Sequence, residues 1–229
     1  MTRGGIFFTG LGLLVLAGIV FWKVEYPTIH IRYRLTVEVQ VGDQIKTGSS
    51  VIDVAFPIGS DSLRLPDAGL EEPRVAQGFA VTINLDDSGL LFLTFEENSM
   101  PRHKILCPFQ DIGCMPFAAY DISAANGSGY GGREAALRVL QSQSGPVDVP
   151  FSSLTEFVRF RDINDRRSVE PVSPFGFATA FSSDIALKRV VLELTNDPVA
   201  PTPNEWPRWL LERDTHEDIH LYFKGRENR

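Results

Sequence analysis

The sequence predicts an α+β protein: a mainly antiparallel β domain with few helices, preceded by an N-terminal transmembrane helix. Three observations carry that expectation. Residues 28–41 alternate between apolar and polar side chains without interruption. Strand-type segments follow one another across turn residues, as hairpins do, with no strand–helix–strand alternation. Residues 5–22 contain no charge.

The uncharged run, GIFFTGLGLLVLAGIVFW, has 18 residues, which at 1.5 Å of helical rise per residue nearly matches the hydrocarbon core of a bilayer. Arg3 and Lys23 bracket it, and Trp22 and Tyr26 suit an interfacial aromatic belt. No small-x-small cleavage site follows, so the segment reads as a retained anchor rather than a cleaved signal. Ile19 stands where an acylated cysteine would have to be, which excludes lipidation there. The predicted organisation is a short tail over 1–4, the anchor over 5–22, a β-rich globular domain over 28–196 and a Pro-rich extension over 197–229, packed on or trailing from that domain.

In the first strand Ile29, Ile31, Tyr33, Leu35, Val37, Val39 and Val41 share one face, and His30, Arg32, Arg34, Thr36, Glu38 and Gln40 the other. Gly42-Asp43-Gln44 supplies a turn, and 45–56 returns as a second strand in which Gly48-Ser49-Ser50 marks a bulge or a close backbone approach. Residues 57–73 read as an excursion. Two strands, 79–85 and 90–95, flank Asp86-Asp87-Ser88-Gly89 as another hairpin. The glycine-rich stretch 127–132 leads into a helix over 133–141. Strand patterning returns at 156–161 and 187–195, separated by a segment with the character of a helical turn. Beyond 197 the prolines interrupt any regular element, leaving room for one short strand at 220–223.

The chain has 229 residues, 43% hydrophobic and 22% charged, a globular composition that excludes disordered, collagenous and disulfide-dense classes. Its net charge of −7 lacks the basic footprint that general nucleic-acid binding needs. Four blocks, RYRLTVEV at 32–39, TGSSVIDV at 47–54, VRFRDINDRRSVEPV at 158–172 and LKRVVLELTNDPV at 187–199, together resemble an uncharacterised family of mainly proteobacterial proteins with one N-terminal hydrophobic segment. The resemblance implies an envelope protein and brings no catalytic residue, ligand or cofactor with it.

The candidate ligand-binding residues are two arginine pairs. Residues two apart on a strand share a face, so Arg32 projects with Arg34 and Arg159 with Arg161. Paired guanidiniums repel unless an anion lies between them, and their forked donors match phosphate or carboxylate. The competing reading is a solvated strand face with local ion pairs, for which Asp162, Asp165 and Glu170 are partners of the second pair. Cys107 and Cys114 enclose a six-residue loop and are expected to form a disulfide in an oxidising compartment.

Other constellations are weaker. Gly127, Gly129 and Gly132 match G-x-G-x-x-G but have no strand before them and no Walker lysine, so a flexible loop is preferred to a phosphate cradle. His103 with the two cysteines is too small a set for a closed zinc site. His216, Glu217, Asp218 and His220 read as an exposed tail rather than a metal site. There is no G-x-S-x-G, H-E-x-x-H or S-x-x-K motif, and neither a metal nor a cofactor is expected. The expected function is a membrane-anchored binding or interaction module whose partners are the membrane, another envelope protein or its own copies, with no nucleic acid. The alternative is an envelope hydrolase or small-molecule-binding enzyme with a non-sequential site. Arg32 and Arg34 on the C-terminal side of the anchor favour a cytoplasmic domain. Because strand arginines of a folded domain weigh little in that count, the domain is expected in the periplasm.

Overall fold

A computed structural model describes residues 27–59, 73–95, 113–122, 129–199, 201, 203 and 206–211. The anchor segment 5–22, His103, Cys107, Gly127, the 216–220 cluster and the 220–223 strand lie outside those residues. Among the described residues, no helix is long and apolar enough to cross a membrane.

Among the described residues, nine strands form two antiparallel sheets. Sheet 1 contains β1 (Thr28–Val41), β2 (Gln44–Pro57), β3 (Arg74–Gln77), β6 (Val147–Asp148) and β9 (Ile185–Leu194), in the order β3-β2-β1-β9-β6. Sheet 2 contains β4 (Val81–Asn84), β5 (Leu90–Leu93), β7 (Phe157–Phe160) and β8 (Val169–Val172), in the order β4-β5-β7-β8. The α-helices among the described residues are α1 (Met115–Ala119), α2 (Gly129–Gln141), α3 (Phe177–Ala180) and α4 (Arg208–Leu211). The mainly antiparallel architecture with few helices matches the fold class read from the sequence.

The alternation in β1 sets the sandwich. Tyr33, Leu35, Val37 and Val39 are all fully buried, and each neighbour between them is only half-buried. Ile52, Val54 and Phe56 of β2 join them, as do Ile83, Leu91, Leu93, Phe157 and Val172 of sheet 2 and Leu137 and Leu140 of α2, in one core between the sheets. Alternate side chains of sheet 2 point the other way: Phe92, Val158 and Phe160 pack with Ala80, Trp206 and Leu210 in a second cluster.

The two sheets meet at a corner built on β2. Gln77 at the end of β3 pairs with Asp53, the Ser50 hydroxyl donates to Phe79 O at 2.7 Å, and a Cβ at Gly48 would lie 2.8 Å from the carbonyl carbon of Thr82 in β4. The chain from β3 to β4 thus follows β2 and changes sheet along it, as happens where two sheets meet at a corner. Val37 still pairs with Gly48 and the β1–β2 register does not shift there, so Gly48 serves close backbone approach and not a bulge. The irregularities lie elsewhere, at Asp53/Val54 against β3 and at Glu38/Val39 against β9. In the latter Lys188 is the extra residue, and with Arg189 it places exposed cations where the two-residue β6 leaves the edge of β9 short of cover.

One expectation is corrected. The helix predicted from Arg133 begins at Gly129, so Gly129, Gly131 and Gly132 lie in its first turn rather than in a flexible loop. Glycine disfavours helix, but tertiary contacts compensate: Arg133 is buried and donates from Nη1 to Pro57 O at 3.0 Å, tying this turn to the end of β2.

Candidate functional site

The outward face of sheet 1 carries the first arginine pair. Hairpin pairing sets Arg32 opposite Asp53, and Arg32 Nη2 donates to Asp53 Oδ2 at 3.1 Å. His30 Nδ1 lies 2.8 Å from Asp53 Oδ1, so one carboxylate, its side chain only 7% exposed, meets both an imidazole and a guanidinium. After β9 the chain folds back over this face: Thr195 N donates to Arg32 O at 3.0 Å, Arg32 Nη1 donates to Asp197 O at 3.2 Å, and Arg34 Nη2 donates to the Asp197 carboxylate. Glu193 adds a longer contact to Arg34 at 3.7 Å. Arg32 Nε is buried with no hydrogen-bond partner among the described residues.

Further along the same face, Thr36 meets Ser49 across the hairpin at 3.2 Å, and Arg189 on β9 makes a two-toothed contact to Glu38 at 3.0 and 2.9 Å. The Arg189 hydrogen bonds hold the Glu38 carboxyl below its ordinary value, and Glu38 in turn raises Arg189. This is a ladder of cross-strand polar pairs that lets one side of an antiparallel sheet face water.

The second pair sits on sheet 2. Arg159 pairs with Glu170 across β7 and β8, and Arg159 donates to Glu170 Oε2 from Nη2 at 3.0 Å and from Nε at 3.2 Å. Arg161 Nε reaches the other oxygen, Oε1, at 2.7 Å. Glu170 therefore occupies the place between the guanidiniums that a bound anion would take. Asp162 and Asp165, the other expected partners, shape the following turn: their side chains accept from the backbone N–H groups of Asn164 and Arg167, each at 2.9 Å. The Arg159 guanidinium also lies 4.9 Å from the Phe181 ring centroid.

The structure sets Arg32 and Arg34 together on β1 and Arg159 on β7, with Arg161 one residue beyond the end of that strand, and gives each pair carboxylates from its own chain. The two pairs lie on different sheets. Cys114 is disulfide-bonded and buried; it precedes α1, its carbonyl accepting from Phe117 N at 3.1 Å. Among the described residues no group of three His, Cys, Asp or Glu side chains is placed to hold a metal ion.

Asp53 is the site residue that sequence reading missed. The signal for it lay in the turn, because closing the hairpin at Gly42-Asp43 pairs Val41 with Gln44 and, nine residues back along each strand, Arg32 with Asp53. The Trp206 and Trp209 contacts had only a compositional signal, two tryptophans within a proline-rich tail. Family models, characterised proteins and solved structures were all compared with the chain, and none matches it.

Proposed function

We propose that this chain is a membrane-anchored envelope protein whose β-rich domain is a binding and interaction module, with the domain on the periplasmic side. The observation that carries the reading is the continuity between apolar segment and fold. β1, the strand at the centre of sheet 1, starts at Thr28, with only the five residues 23–27 between it and Trp22. Five extended residues reach about 18 Å at most. A domain so tethered keeps the start of β1 and the end of β2 at the bilayer surface and points the β1–β2 hairpin tip away from it. The commitment of both arginine pairs to internal carboxylates supports the same reading, since those residues stabilise surfaces and leave recognition to the domain's shape. Envelope localisation is tested by fusing alkaline phosphatase and a cytoplasm-dependent fluorescent protein separately to Arg229. Phosphatase activity without fluorescence is expected, and the reverse would overturn the periplasmic placement. Mild cross-linking in membranes followed by pull-down should recover a protein partner or further copies above an anchor-only control; a monomer with no partner overturns the interaction module.

One observation favours the rival hydrolase reading. A carboxylate on His30 Nδ1 turns Nε2 outward, the orientation a general base requires. Labelling of the wild-type chain by a fluorophosphonate probe, lost in His30→Ala, would move the assignment to that class.

A further inference from the structure

On the outer face of sheet 1, one row of side chains has no carboxylate in it. Strand pairing sets His30 of β1, Ala55 of β2 and Arg74 of β3 side by side, and residues directly opposite each other in an antiparallel ladder share a face. The neighbouring row is Arg32, Asp53 and Gln77, and there Asp53 fills the middle place and accepts from Arg32 Nη2 at 3.1 Å. In the His30 row the middle residue is alanine. Adjacent strands lie about 4.8 Å apart, so His30 and Arg74 stand about 10 Å from each other with only a methyl group between them. Both side chains are long enough to bring their polar heads to one ligand over that methyl.

The two heads are free to bind. Asp53 is buried and tied to Arg32, and through its 2.8 Å contact to Nδ1 it fixes the His30 ring with Nε2 directed away. The His30 side chain is 47% exposed, and Arg74 is exposed with neither an ion pair nor a hydrogen bond among the described residues. The other arginines of this face, Arg32, Arg34 and Arg189, all meet carboxylates. The Arg74 fork therefore offers an unmet charge whose geometry matches two oxygens of a tetrahedral anion. The chemistry of Nε2 narrows the anion further. A protonated ring nitrogen donates to a phosphate oxygen, and a bare one accepts from the hydroxyl of inorganic phosphate or of a phosphate monoester, so this ligand class pairs with the imidazole in either form. Ionised sulfate and carboxylate have no such hydroxyl. Ala55 is itself buried, so the ligand is held by the two heads above it and not by a deep pocket.

We propose that His30 and Arg74 form a binding site for a phosphate monoester group, with Arg74 clamping two of its oxygens and His30 Nε2 meeting a third. The group comes from a soluble phosphate or from a lipid headgroup, and His30, as the third residue of β1, lies close behind the apolar segment. The site goes beyond the interaction-module reading, and only its lipid source rests on that reading. The probe is inorganic phosphate, and the readout is the rate at which diethyl pyrocarbonate acylates His30 in the full chain in mild detergent, followed by peptide mass spectrometry. Phosphate should slow the modification severalfold with a saturating dependence, sodium chloride of equal ionic strength should not, and Arg74→Gln should weaken the protection about tenfold. Arg138→Gln, which removes an arginine paired with Glu134 on α2, should leave the protection unchanged. Absence of saturable protection, equal protection by chloride, or full protection in Arg74→Gln overturns the proposal. The source is read by repeating the measurement in phosphatidylcholine vesicles with and without phosphatidic acid. Protection gained with phosphatidic acid names the lipid, protection by inorganic phosphate alone names the soluble ligand, and protection by neither overturns the site. A cytoplasmic result in the fusion experiment would end the periplasmic placement and leave phosphate protection of His30 intact, so the two failures are distinguishable.

Discussion

Replacing Gly48 by alanine is expected to destabilise the protein strongly, against the ordinary behaviour of the substitution. In a strand, alanine restricts the unfolded chain more than glycine does and commonly stabilises by about 0.4–1 kcal/mol where the backbone permits it. At position 48 the space is taken. A methyl group there would lie 2.8 Å from the Thr82 carbonyl carbon and 2.8 Å from Ile83 Cγ1, with the Thr82 oxygen nearer still. The first obstacle is backbone, so no rotamer change relieves it. β4 must move by roughly 1 Å from β2, the distance that restores ordinary carbon contact. That shift loosens the packing of Ile83, which is fully buried. Overpacking of a close-packed core costs about 1–3 kcal/mol, and opening the sheet corner adds to it, so a net loss of about 2–4 kcal/mol is expected. With a urea slope of about 2–3 kcal/mol/M the midpoint should fall by about 1 M. The assay is urea unfolding of the full chain in mild detergent, followed by far-ultraviolet circular dichroism. Ser49→Ala, on the exposed neighbour whose hydroxyl meets Thr36, is the control. A Gly48→Ala midpoint within error of the control would refute the close-approach argument.

Three further predictions rest on the charged faces. Glu170→Gln removes the carboxylate from between Arg159 and Arg161, which should cost about 1 kcal/mol because the pair is partly solvated, and should create an anion site. Sulfate should then raise the melting temperature of the variant more than that of the wild type, and equal responses would count against Glu170 as the resident anion. Asp53→Asn withdraws a buried carboxylate from both His30 and Arg32 and should cost about 2–3 kcal/mol in urea unfolding; a loss below that of Ser49→Ala would refute the bridging role. Because folding depresses the Glu38 pKa below 4.5, its contribution is fully present above that value and is lost as pH falls through the depressed folded pKa. Arg189→Gln should therefore flatten the acid limb of the stability profile, and superimposable acid limbs would contradict the pairing.

The sheet 1 hairpin was legible because its determinants are local. Strict alternation fixes which face of β1 is buried, and the Gly42-Asp43 turn fixes register, so the predicted strands coincide with β1 and β2 to within a residue or so. The arginine pairs were legible for the same reason, and Glu170 was among the partners foreseen. What the sequence did not disclose depends on contacts between distant segments. β9 pairs with β1 across some 150 residues, and nothing in either strand names the other. β6 has two residues, too few for periodicity. β8 contains Pro171, which reads as a breaker in isolation and is tolerated because β8 is the edge of sheet 2. The start of α2 at Gly129 is a tertiary effect, since glycine propensity alone puts the beginning at Arg133.

The two sheets also differ in a way that bears on the C-terminal segment around Trp206 and Trp209. In β1 every second residue is polar, so that strand needs cover on one face only. Leu90-Leu91-Phe92-Leu93 of β5 has no polar position, and Phe157-Val158-Arg159-Phe160 of β7 has one, whose charge is met by Glu170. Continuous apolar strands of this kind are stable only when both faces are covered. Sheet 1 and the central core cover one face of sheet 2; on the other, Phe92 and Phe160 find their cover in Trp206 and Trp209.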